Sequence, residues 1–218
     1  MWNAKTLHGA GARPLHRADP YRETPSQTAG PYVHIGLVPS FAGVKDVLAE
    51  EFGSGPLHGD AAKGERIAIE GRVFDGAGAP VRDGLVELWQ ADAAGLHPSP
   101  AETRGTADPD FRGWGRCPCD GDTGRFRFET IKPGSVPLAD GTPQAPHVSL
   151  WIVARGINIG LQTRLYFADE ADANANDPIL SRIEPGPRRD SLIARRDGDV
   201  YAFDIHLQGE HETVFLDI

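Results

Sequence analysis

Gly124-Arg125-Phe126-Arg127-Phe128-Glu129-Thr130-Ile131-Lys132-Pro133-Gly134, followed by Ala145-Pro146-His147-Val148-Ser149-Leu150-Trp151-Ile152-Val153-Ala154, decides how the chain reads. In the first stretch Phe126 and Phe128 fall on one face of an extended backbone with charged residues between them, the alternation of a half-buried strand that ends at a Pro-Gly turn. The second is almost continuously apolar from Val148 to Ala154, as suits a strand covered on both faces. Working outward, Ile67–Phe74 alternates and stops at Asp75-Gly76, and Leu85–Gln90, Leu161–Phe167, Val200–Leu207 and Thr213–Leu216 complete a set of at least seven strands. Short strands with Gly, Pro and Asp turns between them predict an all-β chain, a β-sandwich of mainly antiparallel strands with long loops. Two short helices are expected, over Val44–Phe52 with apolar residues at helical spacing, and within Asp169–Ala175.

The 218 residues suffice for one domain with a sizeable core. Residues 1–22 mix Gly, Ala, His and Arg without any period and read as a flexible arm, leaving 23–218 as the folded domain. A net charge of -9 argues against nucleic acid as a partner, because phosphate neutralisation requires a basic face. No apolar run reaches a membrane span and no signal-peptide core precedes the domain, so a cytoplasmic protein acting on small molecules or other proteins is expected. Cys117 and Cys119 close too short a loop to staple the fold and read as reduced thiols. The pairs Arg188-Arg189 and Arg195-Arg196, interleaved with Asp190 and Asp197, read as a solvated face. Trp89 and Trp151 read as core or interface anchors.

Gly115-Arg116, the Arg125–Gly134 stretch and Ala145–Trp151 together resemble the intradiol ring-cleavage dioxygenases, which open catechols with a non-haem ferric ion. In catalytic members a tyrosine follows the Pro-Gly turn and a His-x-His pair lies on the next strand. Here Val136 matches that tyrosine, His147 the first histidine, Ser149 the second, and His97 the position of another tyrosine. Ferric iron favours anionic oxygen and imidazole, and two imidazoles at i and i+2 of a strand share one face, so the substitutions remove most of a ligand set. No catalytic residue and no metal ligand is expected on this chain, and His147 reads as a buried, hydrogen-bonded histidine.

Thr28-Ala29-Gly30-Pro31-Tyr32, Ala154-Arg155-Gly156-Ile157-Asn158-Ile159 and Gly209-Glu210-His211-Glu212-Thr213-Val214-Phe215 place the resemblance in a branch built from two homologous chains, α and β. The resemblance implies that this is the α chain, that the ferric ion is bound by the partner β chain, and that several αβ units assemble. It implies a cleft between the chains in which a small aromatic acid meets dioxygen. Thr28, Gly30, Pro31 and Tyr32 would enter that cleft, and Arg155 would meet the substrate carboxylate, for which a guanidinium fork is suited. A structural ion pair is the other reading of Arg155. Two further arrangements share the sandwich: a self-sufficient catechol or hydroxyquinol enzyme with its own iron, and a noncatalytic scaffold module. The apolar strand Leu150–Val153 and the Thr24–Tyr32 loop are expected to face the partner.

Overall fold

The structure is a computed structural model, and it describes residues 27–45 and 52–217. The arm read over 1–22 lies outside the described residues, as does most of the helix expected over Val44–Phe52. Among the described residues nine strands form one sheet, eight of them in the hydrogen-bonded order β3-β2-β5-β6-β7-β8-β1-β4 and β9 beside β1. They are β1 (Arg66–Phe74), β2 (Leu85–Trp89), β3 (Trp114–Pro118), β4 (Arg125–Ile131), β5 (His147–Val153), β6 (Leu161–Phe167), β7 (Ile193–Asp197), β8 (Val200–Ala202) and β9 (Ile205–His206). The long ladders are antiparallel, and the three parallel ones, β1 with β8, β1 with β9 and β6 with β7, each span two or three residues. Strand β7 joins the two halves, pairing β6 through Ile193 and Ala194 and β8 through Arg195–Asp197.

Both halves contribute to one core. Val86, Leu88, Val148, Leu150, Ile152 and Leu165 come from one side and Ile69, Val73, Phe126, Phe128 and Tyr201 from the other. The pleat explains the choice, since alternate residues of β4 and β5 are buried while the intervening ones are not. A second cluster of Ala145, Tyr166, Leu180, Leu192 and Val214 closes one end. Helices are short: α1 (Val33–Leu37), α2 (Ala171–Ala175) and α3 (Pro187–Asp190), with single 3-10 turns at Pro39–Ala42 and Leu180–Arg182.

The strands expected over β1, β2, β4, β5 and β6 are present within a residue or so, and three readings are corrected. The Val200–Leu207 run breaks in two because Phe203 donates to Glu70 O and Asp204 accepts Arg72 N–H. Gly71 permits this crossing, since a Cβ there would sit 1.7 Å from Phe203 O. Thr213–Leu216 is not a strand; Thr213 Oγ1 accepts His206 N–H and Thr163 Oγ1 donates to Val214 O, so side-chain hydroxyls stand in for a ladder. Leu150, Ile152 and Val153 are buried in the chain's own core, so of the Leu150–Val153 stretch only Trp151, half-buried, faces outward. Exposed large apolar side chains are instead Tyr32, Phe41, Val44, Phe52, Trp89 and Ile159.

Candidate functional site

Two loops are brought together at one end of the sandwich by a close backbone approach. A Cβ on Gly134 would lie 2.5 Å from Ala93 O, and one on Gly95 would lie 2.0 Å from Ser135 O. Only glycine fits both positions, and Gly95 also takes a left-handed φ of 78°. The contact carries His97 and Val136 into the wall of one pocket of about 560 Å3, with Trp89, Glu102, Arg104 and Pro137. The His97 ring stacks on Trp89 at 5.7 Å and 6°, and burial foremost pushes its pKa down. Trp89 is 39% exposed, so it lines this pocket and does not belong to the core.

Strand register places the other two positions nearby. Trp89 pairs with Ser149, and Ser149 with Arg164, so the three share the outer face of the sheet. His147 lies beside Tyr166, ring centroids 5.7 Å apart, and its Nδ1 donates to Ala145 O at 2.8 Å. Burial first, and the Arg164 charge second, lower the His147 pKa to about 4, which leaves the imidazole neutral at ordinary pH. Arg164 Nη1 donates to Gln144 Oε1 at 2.7 Å, and Gln144 Nε2 donates to Val136 O at 3.0 Å. Beneath them the buried Asp177 accepts the N–H groups of Ala145, Ile179 and Leu180, each at 2.8 Å, and the Tyr166 hydroxyl at 3.3 Å.

This donor set does not fit ferric iron. An aliphatic side chain, two neutral rings and a hydroxyl supply no anionic oxygen, and a guanidinium stands in register with Ser149. Among the described residues no group of three or more His, Cys, Asp or Glu is placed to hold a metal. Cys117 and Cys119 are free thiols, and burial pushes Cys119 up to about 12.

Of the residues expected to enter a cleft, Thr28 and Arg155 come together, apart from this first pocket. Thr28 Oγ1 accepts the Gly156 N–H at 2.7 Å and donates to Ala29 O at 3.0 Å, clipping the N-terminal loop to the turn after β5. That clip brings Thr28 beside Arg155. Arg155 is 68% exposed, and its Nε meets Asp83 Oδ2 at 2.9 Å. It lines a pocket of about 690 Å3 with Arg82, Asp83, Ile157, Leu161 and Leu207. Gly30 O accepts the Val33 N–H at 3.2 Å, and Tyr32, 74% exposed, precedes the first turn of α1. Gly30, Pro31 and Tyr32 are not in the wall of that pocket. Sequence reading missed Asp83 and Arg82, whose Val81-Arg82-Asp83-Gly84 context signals a turn and nothing more, and it missed the Arg164–Gln144 pair, which only strand register creates. Arg196, read as part of a solvated face, is exposed yet also pairs with Asp169 at 2.7 Å and with Glu65.

A family model described as dioxygenase matches residues 51–209. The protocatechuate 3,4-dioxygenase alpha chain of Pseudomonas putida is 48% identical over 199 residues, 89% of this chain and 96% of the relative. The beta chain of that enzyme from Burkholderia cepacia is 36% identical, over 81% of this chain and 84% of its own. In fold, the crystal structure of catechol 1,2-dioxygenase from Pseudomonas arvilla C-1 superposes with a TM-score of 0.52 at 22% identity, over 72% of this chain and 56% of that one. The sandwich and these relatives agree: the chain belongs to the intradiol ring-cleavage dioxygenases, a family of iron enzymes.

Proposed function

We propose that this chain is the α chain of a cytoplasmic protocatechuate 3,4-dioxygenase and works with a homologous β chain that holds the ferric ion. The reaction breaks the bond between the two hydroxyl-bearing ring carbons of protocatechuate and places both atoms of dioxygen in the product, 3-carboxy-cis,cis-muconate. The iron supplies the oxygen chemistry from the partner. This chain contributes orientation and exclusion of water, with Thr28 fixing the loop that carries Gly30, Pro31 and Tyr32 to the cleft and Arg155 meeting the substrate carboxylate. The observation that carries this reading is the Thr28 clip beside Arg155, intact in a chain whose own metal positions hold Val136, His97 and Ser149. Exposed Tyr32, Phe41 and Phe52 supply apolar area for the partner.

Co-expression with a homologous chain that carries both tyrosines and the His-x-His pair tests it. The expected result is a co-eluting complex that consumes oxygen on protocatechuate, while this chain alone holds no stoichiometric iron and lacks phenolate-to-iron colour. Tightly held iron and ring cleavage by the isolated chain would overturn the reading.

A further inference from the structure

Two guanidinium groups line the pocket beside the Thr28 clip, and they are in different electrostatic states. Arg155 gives its Nε–H to Asp83 at 2.9 Å, so one face of its fork is already held by a carboxylate. Arg82, exposed and one position from that carboxylate, has no hydrogen-bond or ion-pair partner among the described residues. The other carboxylate in the wall, Asp75, accepts the N–H groups of Ala77 and Ala79 and is turned into its own loop. Val81, Ile157, Leu161 and Leu207 make up apolar wall. A concavity with an apolar side and a free cation at its rim fits an aromatic ring bearing a carboxylate. The need for such a cation is sharpened by the chain's net charge of -9, which repels an anionic substrate unless a local positive field opposes it.

We propose that Arg82 is a specificity-determining residue of the cleft: it supplies a positive charge without a carboxylate in contact that draws a carboxylated catechol, while Asp83 holds Arg155 in place as an oriented donor. The proposal rests on the reading of this pocket as part of the substrate cleft. Attraction by an exposed charge acts mainly on capture and is screened by salt.

The test uses the complete two-chain complex, with oxygen uptake on protocatechuate and on unsubstituted catechol at low and high ionic strength. Arg82→Gln should lower kcat/KM for protocatechuate about fivefold at low salt through KM, lower that for catechol less than twofold, and lose most of its effect at high salt. Arg82→Lys should keep most of the wild-type ratio. A lysine variant as impaired as the glutamine variant, or a ratio unmoved by Arg82→Gln, overturns the assignment. Arg155→Ala separates the two levels: if it alone shifts the substrate ratio, Arg82 is misassigned and the cleft reading stands. If neither variant shifts it, the cleft reading falls too.

Discussion

The pocket around His97, Val136 and His147 and the turn around Arg155 lie on one sandwich and have opposite characters. At the first, most polar groups are answered within the chain, His147 by Ala145 O, Arg164 Nη1 by Gln144 and the buried Asp177 by three backbone N–H groups, while His97 Nδ1 and Arg164 Nε have no hydrogen-bond partner. At the second, Arg155 and Arg82 are exposed, and among the described residues Arg155 pairs with Asp83 while Arg82 has no partner. The difference follows from solvation. An unpaired buried polar group costs about 1–3 kcal/mol, which favours internal partners at the first region, whereas a surface cation keeps water and remains available to a ligand. The first region is therefore held mainly by its own hydrogen bonds, and under the proposed function the second is the one open to a substrate.

If the first region is structural, breaking it should cost the most. Asp177→Ala strands the N–H groups of Ala145, Ile179 and Leu180 and the Tyr166 hydroxyl at a fully buried position. The expected loss is on the order of 3–5 kcal/mol, read as a lower urea midpoint at unchanged slope. A loss near zero would mean that these backbone groups find water, and that the network does not hold the pocket.

The next largest effect is a pH dependence. His147 is lowered from 6.5 to about 4 by burial and by Arg164. Its folded pKa lies below its unfolded one, so its contribution is fully present above pH 6.5. The contribution is lost as pH falls from 6.5 toward 4, because the unfolded chain takes up the proton first. The difference amounts to roughly 3 kcal/mol across that window. Urea unfolding of wild type and His147→Asn at pH 7.5 and 4.5 isolates it: wild type should lose more stability between the two, and parallel losses would show an imidazole open to solvent.

The Arg155 turn should behave in the reverse way. Arg155→Ala removes an exposed pair with Asp83, worth less than about 1 kcal/mol to folding. In the two-chain complex it should lower kcat/KM for protocatechuate by roughly tenfold to a hundredfold relative to catechol, the magnitude of one charge-assisted contact. Equal losses on both substrates would make the Asp83 pair structural and erase the contrast between the regions.

How much of this was legible follows the same division between local and non-local causes. The alternation in Arg125–Ile131 and the apolar run of β5 encode their strands directly, because burial on a pleated sheet has a period of two. Strand β3 escapes notice because Gly115 and Pro118 are weak strand residues. Its place is set by the partner β2 and by Leu57, which lies 2.8 Å from where a Gly115 Cβ would be. Strand β7 reads as a basic face because its outward residues are Arg195, Arg196 and Asp197; pairing with β8 makes it a strand. The Thr28–Gly156 bond joins positions 128 apart, and no local pattern announces such a contact. Only the family resemblance named both ends of it. Arg164 opposite Ser149 was hidden for the same reason.

The smallest expected effect is a null that sharpens the comparison most. Ser149→His places a second imidazole on the face that already carries His147, two residues apart on β5, and so restores the chelating pair. Protonation is not the obstacle, since His147 with its pKa near 4 is in the neutral form that binds metals. What is missing is anionic oxygen: Val136 and His97, which line the adjoining pocket, hold the positions that the family resemblance matches to tyrosines, and Arg164 adds a fixed positive charge in register with position 149. A trivalent ion placed there would meet repulsion from the guanidinium and no ligand that matches its hardness. The single variant should therefore show no stoichiometric iron, no visible charge-transfer band and no oxygen uptake of its own. The informative comparison is a variant that also carries Val136→Tyr and His97→Tyr, assayed for iron content and colour before activity, because ligand binding can return while the surrounding groups that orient substrate do not. Iron and ring cleavage in Ser149→His alone would show that the pocket can serve as a metal site, and that one side chain separates the two regions in character.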